Sequence, residues 1–146
     1  ECRKPVIAAI NGYALGGGLA LAASCDILVA STQAVMGLPE VDVGLLGGGR
    51  RAMRLFGHSR VRSLMFRAVR LNADELLRLG VVEAVVAPEE LLPHAMGIAA
   101  EIAAKDPETI RLAKLGLNTI EEMSIRDGYR FEQEMTAELL RRKGKL

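Results

Sequence analysis

Fifteen residues near the start of the chain constrain its fold more than any other stretch: Lys4-Pro5-Val6-Ile7-Ala8-Ala9-Ile10-Asn11-Gly12-Tyr13-Ala14-Leu15-Gly16-Gly17-Gly18. Val6–Ile10 is an apolar run bounded by Pro5 and Asn11-Gly12, which predicts a buried strand. Leu19–Ser24, rich in small side chains, predicts a closely packed helix. A strand, a glycine cluster and a helix start in succession suggest a site for an anion or oxyanion. First-turn N–H groups have no partner within a helix, and its dipole places partial positive charge there. The same glycines would also serve a tight turn and close backbone approach, and both readings stand at this point. Two phosphate motifs are excluded. Counted from Gly16, the third glycine of a dinucleotide-binding G-x-G-x-x-G is Leu21, and no Gly-Lys-Ser/Thr follows for a P-loop.

Beyond the triplet, Asp26–Ala30 and Ala34–Gly37 read as strands. Leu38-Pro39-Glu40-Val41-Asp42-Val43-Gly44 reads as a loop, with Pro39 halting any ladder. Gly47-Gly48-Gly49 precedes a helix near Arg50–Phe56, and Ser59 is expected to cap a helix over Ser59–Val69. Asn72 and Glu75 have capping-box spacing for a helix ending at Gly80. Val81–Val86 is expected to be a strand and Pro93–Ala104 a helix. Asp106-Pro107 and Ser124 with Asp127 mark the starts of two more helices. No sequence repeat or low-complexity linker interrupts this order. The predicted organisation is one α/β unit over residues 1–86, followed by a helical region over residues 87–146.

Half of the 146 residues are hydrophobic but only 3% are aromatic, and the mean hydropathy is +0.21. One core is within reach of such a chain, and apolar surface is left over for a partner. No apolar run reaches membrane-span length. Cys2 and Cys25 make no disulfide framework or metal-ligand spacing, so no metal is expected and a reducing, cytoplasmic compartment is. The chain starts at Glu1 without an initiator Met or signal-peptide pattern, which suggests a fragment. The net charge of +1 is unevenly spread, with seven arginines and no acid between Val43 and Ala73. Such a stretch suits an anionic partner.

The segment Lys4–Gly18, continued in register by Cys25-Asp26-Ile27, Gly37-Leu38-Pro39-Glu40 and Gly44, resembles the signature segment of the crotonase (enoyl-CoA hydratase/isomerase) family. The resemblance runs along the whole chain and weakens after Lys105. It implies the C-terminal portion of a crotonase-like α/β spiral of ββα units, then a helical trimerisation region in a homotrimer or dimer of trimers. It further implies an acyl-CoA substrate, with coenzyme A as part of that substrate and no other cofactor. Gly17 would give one of two backbone N–H groups to an enolate-like oxyanion, with Gly16 beside it and Gly48 as substrate-binding positions. The other would come from upstream of Glu1. Of the two glutamates of family hydratases, the second maps onto Glu40 and the first onto Ala20, whose methyl group cannot move a proton. That departure favours an isomerase-like reaction with Glu40 as sole acid/base, for which Glu40 needs partial burial. An altered hydratase, a decarboxylation or a non-catalytic member are the alternatives. Gly48 matches the family position whose N–H orients water, and lacks the extra aspartate of dienoyl-CoA isomerases.

Arg50 and Arg51 stand where the family usually has glycine. A positive charge at a helix N-terminus opposes the dipole by a few tenths to about 1 kcal/mol. A substrate anion would compensate Arg50; solvated side chains are the other reading. Tyr129 and Phe131 are candidates to line an acyl-tail pocket, with ordinary packing equally open. His58 and His94 read as solvated. Arg141, Arg142, Lys143 and Lys145 form a basic C-terminus suited to CoA phosphates or to fraying. One family branch binds AU-rich RNA, yet the basic stretch has only Phe56 and Phe66 as aromatics and nothing like an RNP motif, which disfavours nucleic acid.

Overall fold

The computed structural model describes residues 2–144 and divides into two compact units, one from Val6 to Ala99 and one joining the N-terminal residues up to Pro5 with the chain from Ala100 on. The first unit is built on strand pairs. β1 (Ile7–Ile10) is followed across Asn11-Gly12 by β2 (Tyr13–Leu15), then α1 (Gly17–Ala22). β3 (Ile27–Ser31) and β4 (Val35–Gly37) repeat the pair, followed by a 3-10 turn over Glu40–Val43 and α2 (Gly49–Ala52). β1 pairs with β3 and β2 with β4, both in parallel, so each ββ corner stacks on the next as one turn of a spiral. β6 (Val85–Val86) extends the first sheet in parallel beside β3, and β5 (Arg70–Asn72) closes the second antiparallel to β4. Between them lie α3 (His58–Phe66) and α4 (Ala73–Arg78).

Largely apolar strand faces and small helix residues drive this stacking. Leu19 of α1, Val29 of β3, Met36 of β4, Leu38, Leu64 of α3 and Leu76 of α4 have no measurable exposure; each such side chain contributes about 1.5–3 kcal/mol on burial. Ala22, Ala23, Ala30 and Ala52 let backbones approach between them. Ser31 is the buried polar residue of this core, and its hydroxyl is satisfied by the N–H of Gln33 at 3.2 Å. At the end of α1, the Arg54 guanidinium donates to the Ala23 carbonyl at 2.9 Å, one of the carbonyls a helix C-terminus leaves open.

Several sequence expectations shift by a few residues. The α3 N-cap is Gly57, without a side-chain bond, rather than Ser59. Only Val85–Val86 of the expected Val81–Val86 strand pairs as one; Val81 and Val82 turn into the core and the Val81 N–H bonds back to Leu76. The helix expected from Pro93 is α5 (Pro88–Ala103), which starts a turn earlier and carries Pro93 inside. The missing amide costs one helical bond there, on an exposed face where water can take the open carbonyl. The caps at Asn72, Asp106 and Ser124 form as expected, each side chain accepting from the N–H three residues on.

The second unit is mainly a helical hairpin of α6 (Pro107–Ile120) and α7 (Ile125–Arg142). Among the described residues no helix is long and apolar enough to cross a membrane.

Candidate active site

The parallel register of β2 with β4 decides which distant residues meet. Leu15 lies opposite Gly37, and the Gly16 N–H donates to the Gly37 carbonyl at 2.9 Å. Both strands therefore end together. β2 runs on into Gly16 and α1, β4 into Leu38-Pro39-Glu40. In parallel sheets the carboxyl ends of the strands are where ligands bind.

Glu40 opens the 3-10 turn behind Pro39, and its own carbonyl is held by the Leu45 N–H at 2.9 Å. Leu38, fully buried two residues earlier, anchors the turn from below. The half-buried side chain runs back to the glycine corner. A Cβ on Gly16 would stand 2.7 Å from Glu40 Oε1 and 3.2 Å from its carboxyl carbon. A Cβ on Gly48 would stand 3.7 Å from the same oxygen and 3.6 Å from the Gly16 carbonyl. Glu40, Gly16 and Gly48 thus form one cluster, although 32 positions separate the outer two, Gly16 and Gly48. Gly16 (φ 54, ψ −114) and Gly48 (φ 72) both adopt left-handed backbone that disfavours side chains. The Glu40 Oε2 atom is buried and accepts no hydrogen bond among the described residues. Such an oxygen costs about 1–3 kcal/mol to leave unsatisfied.

Gly17 begins α1 and is exposed, with open space where its Cβ would be. Its N–H is one of the first-turn amides that the helix cannot satisfy. Ala20, in the same helix, donates its N–H to the Gly16 carbonyl at 3.0 Å. Arg50 is exposed on α2, two residues past Gly48. Tyr129, exposed, and Phe131, half-buried, lie on α7 in the other unit. Lys145 of the basic terminus lies outside the described residues, and among these no cluster of His, Cys, Asp and Glu could hold a metal. A cavity of about 520 Å³ opens instead at the N-terminal ends of β3 and β6, between Cys25–Leu28 and Gly80–Glu83. No partnerless buried carboxylate oxygen lines it.

The family model described as enoyl-CoA hydratase/isomerase matches residues 1–145. The chain belongs to the enoyl-CoA hydratase/isomerase family. Its relatives include a short-chain-enoyl-CoA hydratase of Clostridium acetobutylicum, 44% identical over 92% of this chain and 53% of that protein. Also similar is a (7aS)-7a-methyl-1,5-dioxo-2,3,5,6,7,7a-hexahydro-1H-indene-carboxyl-CoA hydrolase of Rhodococcus jostii, 43% identical over 95% of this chain and 54% of that protein. The crystal structure of an enoyl-CoA hydratase from Bacillus anthracis superposes with a TM-score of 0.88 at 36% identity, covering 92% of this chain and 54% of that one. An enoyl-CoA hydratase from Mycobacterium smegmatis gives 0.90 at 27% identity, covering 94% and 55%. The stacked ββ corners are therefore the crotonase-like α/β spiral implied by the signature segment. The chain spans about half the length of the curated relatives it matches.

The glycine signature and Glu40 could be picked out in the family sequence pattern. The contact of Gly16 with Glu40 could not, because it follows from strand register. Leu38 stands in the signature segment without a role of its own there, and Leu45, whose N–H holds the Glu40 carbonyl, carried no signal beyond being apolar.

Proposed function

We propose that the protein acts on acyl-CoA thioesters, with Glu40 moving a proton beside the thioester while the Gly17 N–H receives the charge that develops on its oxygen. The observation carrying this reading is the Glu40 carboxylate. It is half-buried at the carboxyl ends of two parallel strands, one oxygen has no donor, and the open first-turn amides of α1 follow Gly16 directly. Removing a proton from carbon beside a thioester puts negative charge on the carbonyl oxygen. A preorganised donor at that oxygen contributes about 3–4 kcal/mol. Glu40 then returns the proton at a second carbon, so that a double bond shifts and nothing is oxidised or reduced. Coenzyme A enters as part of the substrate and the scheme uses no further cofactor. With alanine at position 20, the second carboxylate that would hold a water for hydration is missing, which favours 3-enoyl-CoA isomerisation. We further propose a homotrimer or dimer of trimers in a reducing, cytoplasmic setting, with no nucleic-acid partner.

A second reading is hydrolysis. Two relatives, from Rhodococcus jostii and Mycobacterium tuberculosis, carry the hydrolase name at 43% identity, level with the hydratases. In that case Glu40 would activate a water. The test runs three assays on the full-length protein and its Glu40→Gln variant: crotonyl-CoA hydration, 3-enoyl-CoA isomerisation, and hydrolysis of the hexahydroindene-carboxyl-CoA ester. Isomerisation that collapses in the variant, with little hydration, is expected. Robust hydration would overturn the isomerase preference, and hydrolysis alone would establish the second reading. Silence in all three would point to another acyl-CoA reaction, such as a decarboxylation, or to a non-catalytic member.

A further inference from the structure

We infer that Gly16 is a positioning residue for Glu40: its missing side chain makes the niche that fixes where the carboxylate stands. Resting on the reading of Glu40 as the proton-moving group, this adds a role for Gly16 distinct from touching substrate.

The geometry leaves little freedom. A Cβ at Gly16 would lie 2.7 Å from Glu40 Oε1, well inside the 3.4 Å at which ordinary contact begins. The Gly16 backbone is pinned on both sides, its N–H bound to Gly37 at 2.9 Å and its carbonyl to the Ala20 N–H at 3.0 Å. The Glu40 backbone is pinned too, by the Leu45 N–H. Neither wall can yield cheaply, so an added methyl group would displace the carboxylate itself. Gly48 borders the same oxygen from another direction, at 3.7 Å from its own absent Cβ. The carboxylate thus stands in a slot between two glycines that lie far apart in sequence. A glycine needed only for its backbone would be indifferent to the length of the side chain at position 40. A glycine that makes a niche is not.

That difference supplies the experiment, done on the full-length protein by placing Gly16→Ala in the wild-type and Glu40→Asp backgrounds. Aspartate is one methylene shorter and withdraws its carboxylate from Gly16. With Glu40 present, Gly16→Ala should lower kcat about a hundredfold and change KM less than about threefold, as a displaced catalytic group does. In the Glu40→Asp background the same substitution should cost at least about tenfold less in kcat, the loss that remains being the strain of a side chain at φ 54, which both backgrounds share. Thermal unfolding of the same four proteins gives a readout independent of substrate, and Gly16→Ala should lower Tm more with glutamate than with aspartate at position 40. A variant that folds only with aspartate also supports the niche. Equal losses in both backgrounds, whether of turnover or of folding, would overturn it, since the glycine would then serve the backbone alone. If Glu40→Gln left turnover intact, the functional reading would fail, while the coupling in Tm would still decide the role of Gly16.

Discussion

Ala68 is, among the described residues, the one side-chain-bearing residue with left-handed backbone, at φ 50. It sits where the chain leaves α3 and reverses into β5, whose antiparallel pairing with β4 fixes the direction of exit. A left-handed L-residue costs about 1–2 kcal/mol; glycine relieves that strain but loses about 0.4–1 kcal/mol, because it makes the unfolded chain more flexible. Ala68→Gly should therefore stabilise the protein by about 0.5–1 kcal/mol, a rise of roughly 1–4 °C in Tm by the scaling for domains of this size. Ala68→Val should lower Tm, because branching at Cβ makes the left-handed region worse. A glycine variant no more stable than wild type in thermal denaturation would mean that the turn relaxes without cost.

At the scale of elements, what could be read from the sequence depended on length and on local chemistry. The caps at Asn72, Asp106 and Ser124 are side-chain reactions with backbone three residues away, so residue type alone reveals them. β2 and β5, three residues each, are not legible in the sequence: β2 follows directly on Asn11-Gly12, β5 carries Arg70 and Asn72 around a single apolar Leu71, and tertiary pairing makes them strands. The spiral shows no sequence repeat because its turns share only apolar faces, which many residue combinations satisfy. The Glu40 niche was illegible for the same reason: register lies in pairing, not in either strand. The hairpin of α6 and α7 shows how local chemistry closes a larger element. Asp106 caps α6 through the Thr109 N–H and also receives the Lys143 ammonium from the end of α7 at 2.7 Å. Arg142 reaches both Glu138 and Glu108. The Lys143 contact foremost, with the Thr109 hydroxyl and N–H, holds the Asp106 carboxyl well below its ordinary value of 3.8. Arg142, foremost, likewise lowers Glu138. A carboxyl depressed in the folded state stabilises it fully above its unfolded value and loses that contribution as pH falls through the folded one. Hairpin stability should thus decline as pH drops below about 4. Asp106→Asn should flatten that decline in circular dichroism melts, and high salt should shrink the difference, since the groups are exposed. Identical pH profiles for the two proteins would show that the clasp contributes nothing.

For the molecule as a whole, the decisive feature is where apolar burial is concentrated. Every buried hydrophobic side chain of the core falls between Ile10 and Ala95, within the Val6–Ala99 unit. Among the described residues after Ala99, only Gly116 and Gly128 are buried. The hairpin meanwhile exposes Leu117, Ile125 and Tyr129 and leaves a groove of about 300 Å³ between its helices, lined by Leu112, Met135 and Leu139. Two helices with so little core of their own are marginal unless another surface covers them. On the proposed trimer, that cover is supplied by further copies of the chain, and mass action then makes its stability depend on concentration. Amide exchange followed over a dilution series of the full-length protein separates the two kinds of stability. Protection of α6 and α7 should fall by up to about fivefold per decade of dilution as trimers dissociate to monomers. Protection of β1 and β3, set by a core inside one chain, should stay level until the hairpin is lost. Exchange in α6 and α7 that ignores concentration, together with a monomeric mass in sedimentation, would rule out the trimer and leave the exposed leucine and aromatic faces to a different partner.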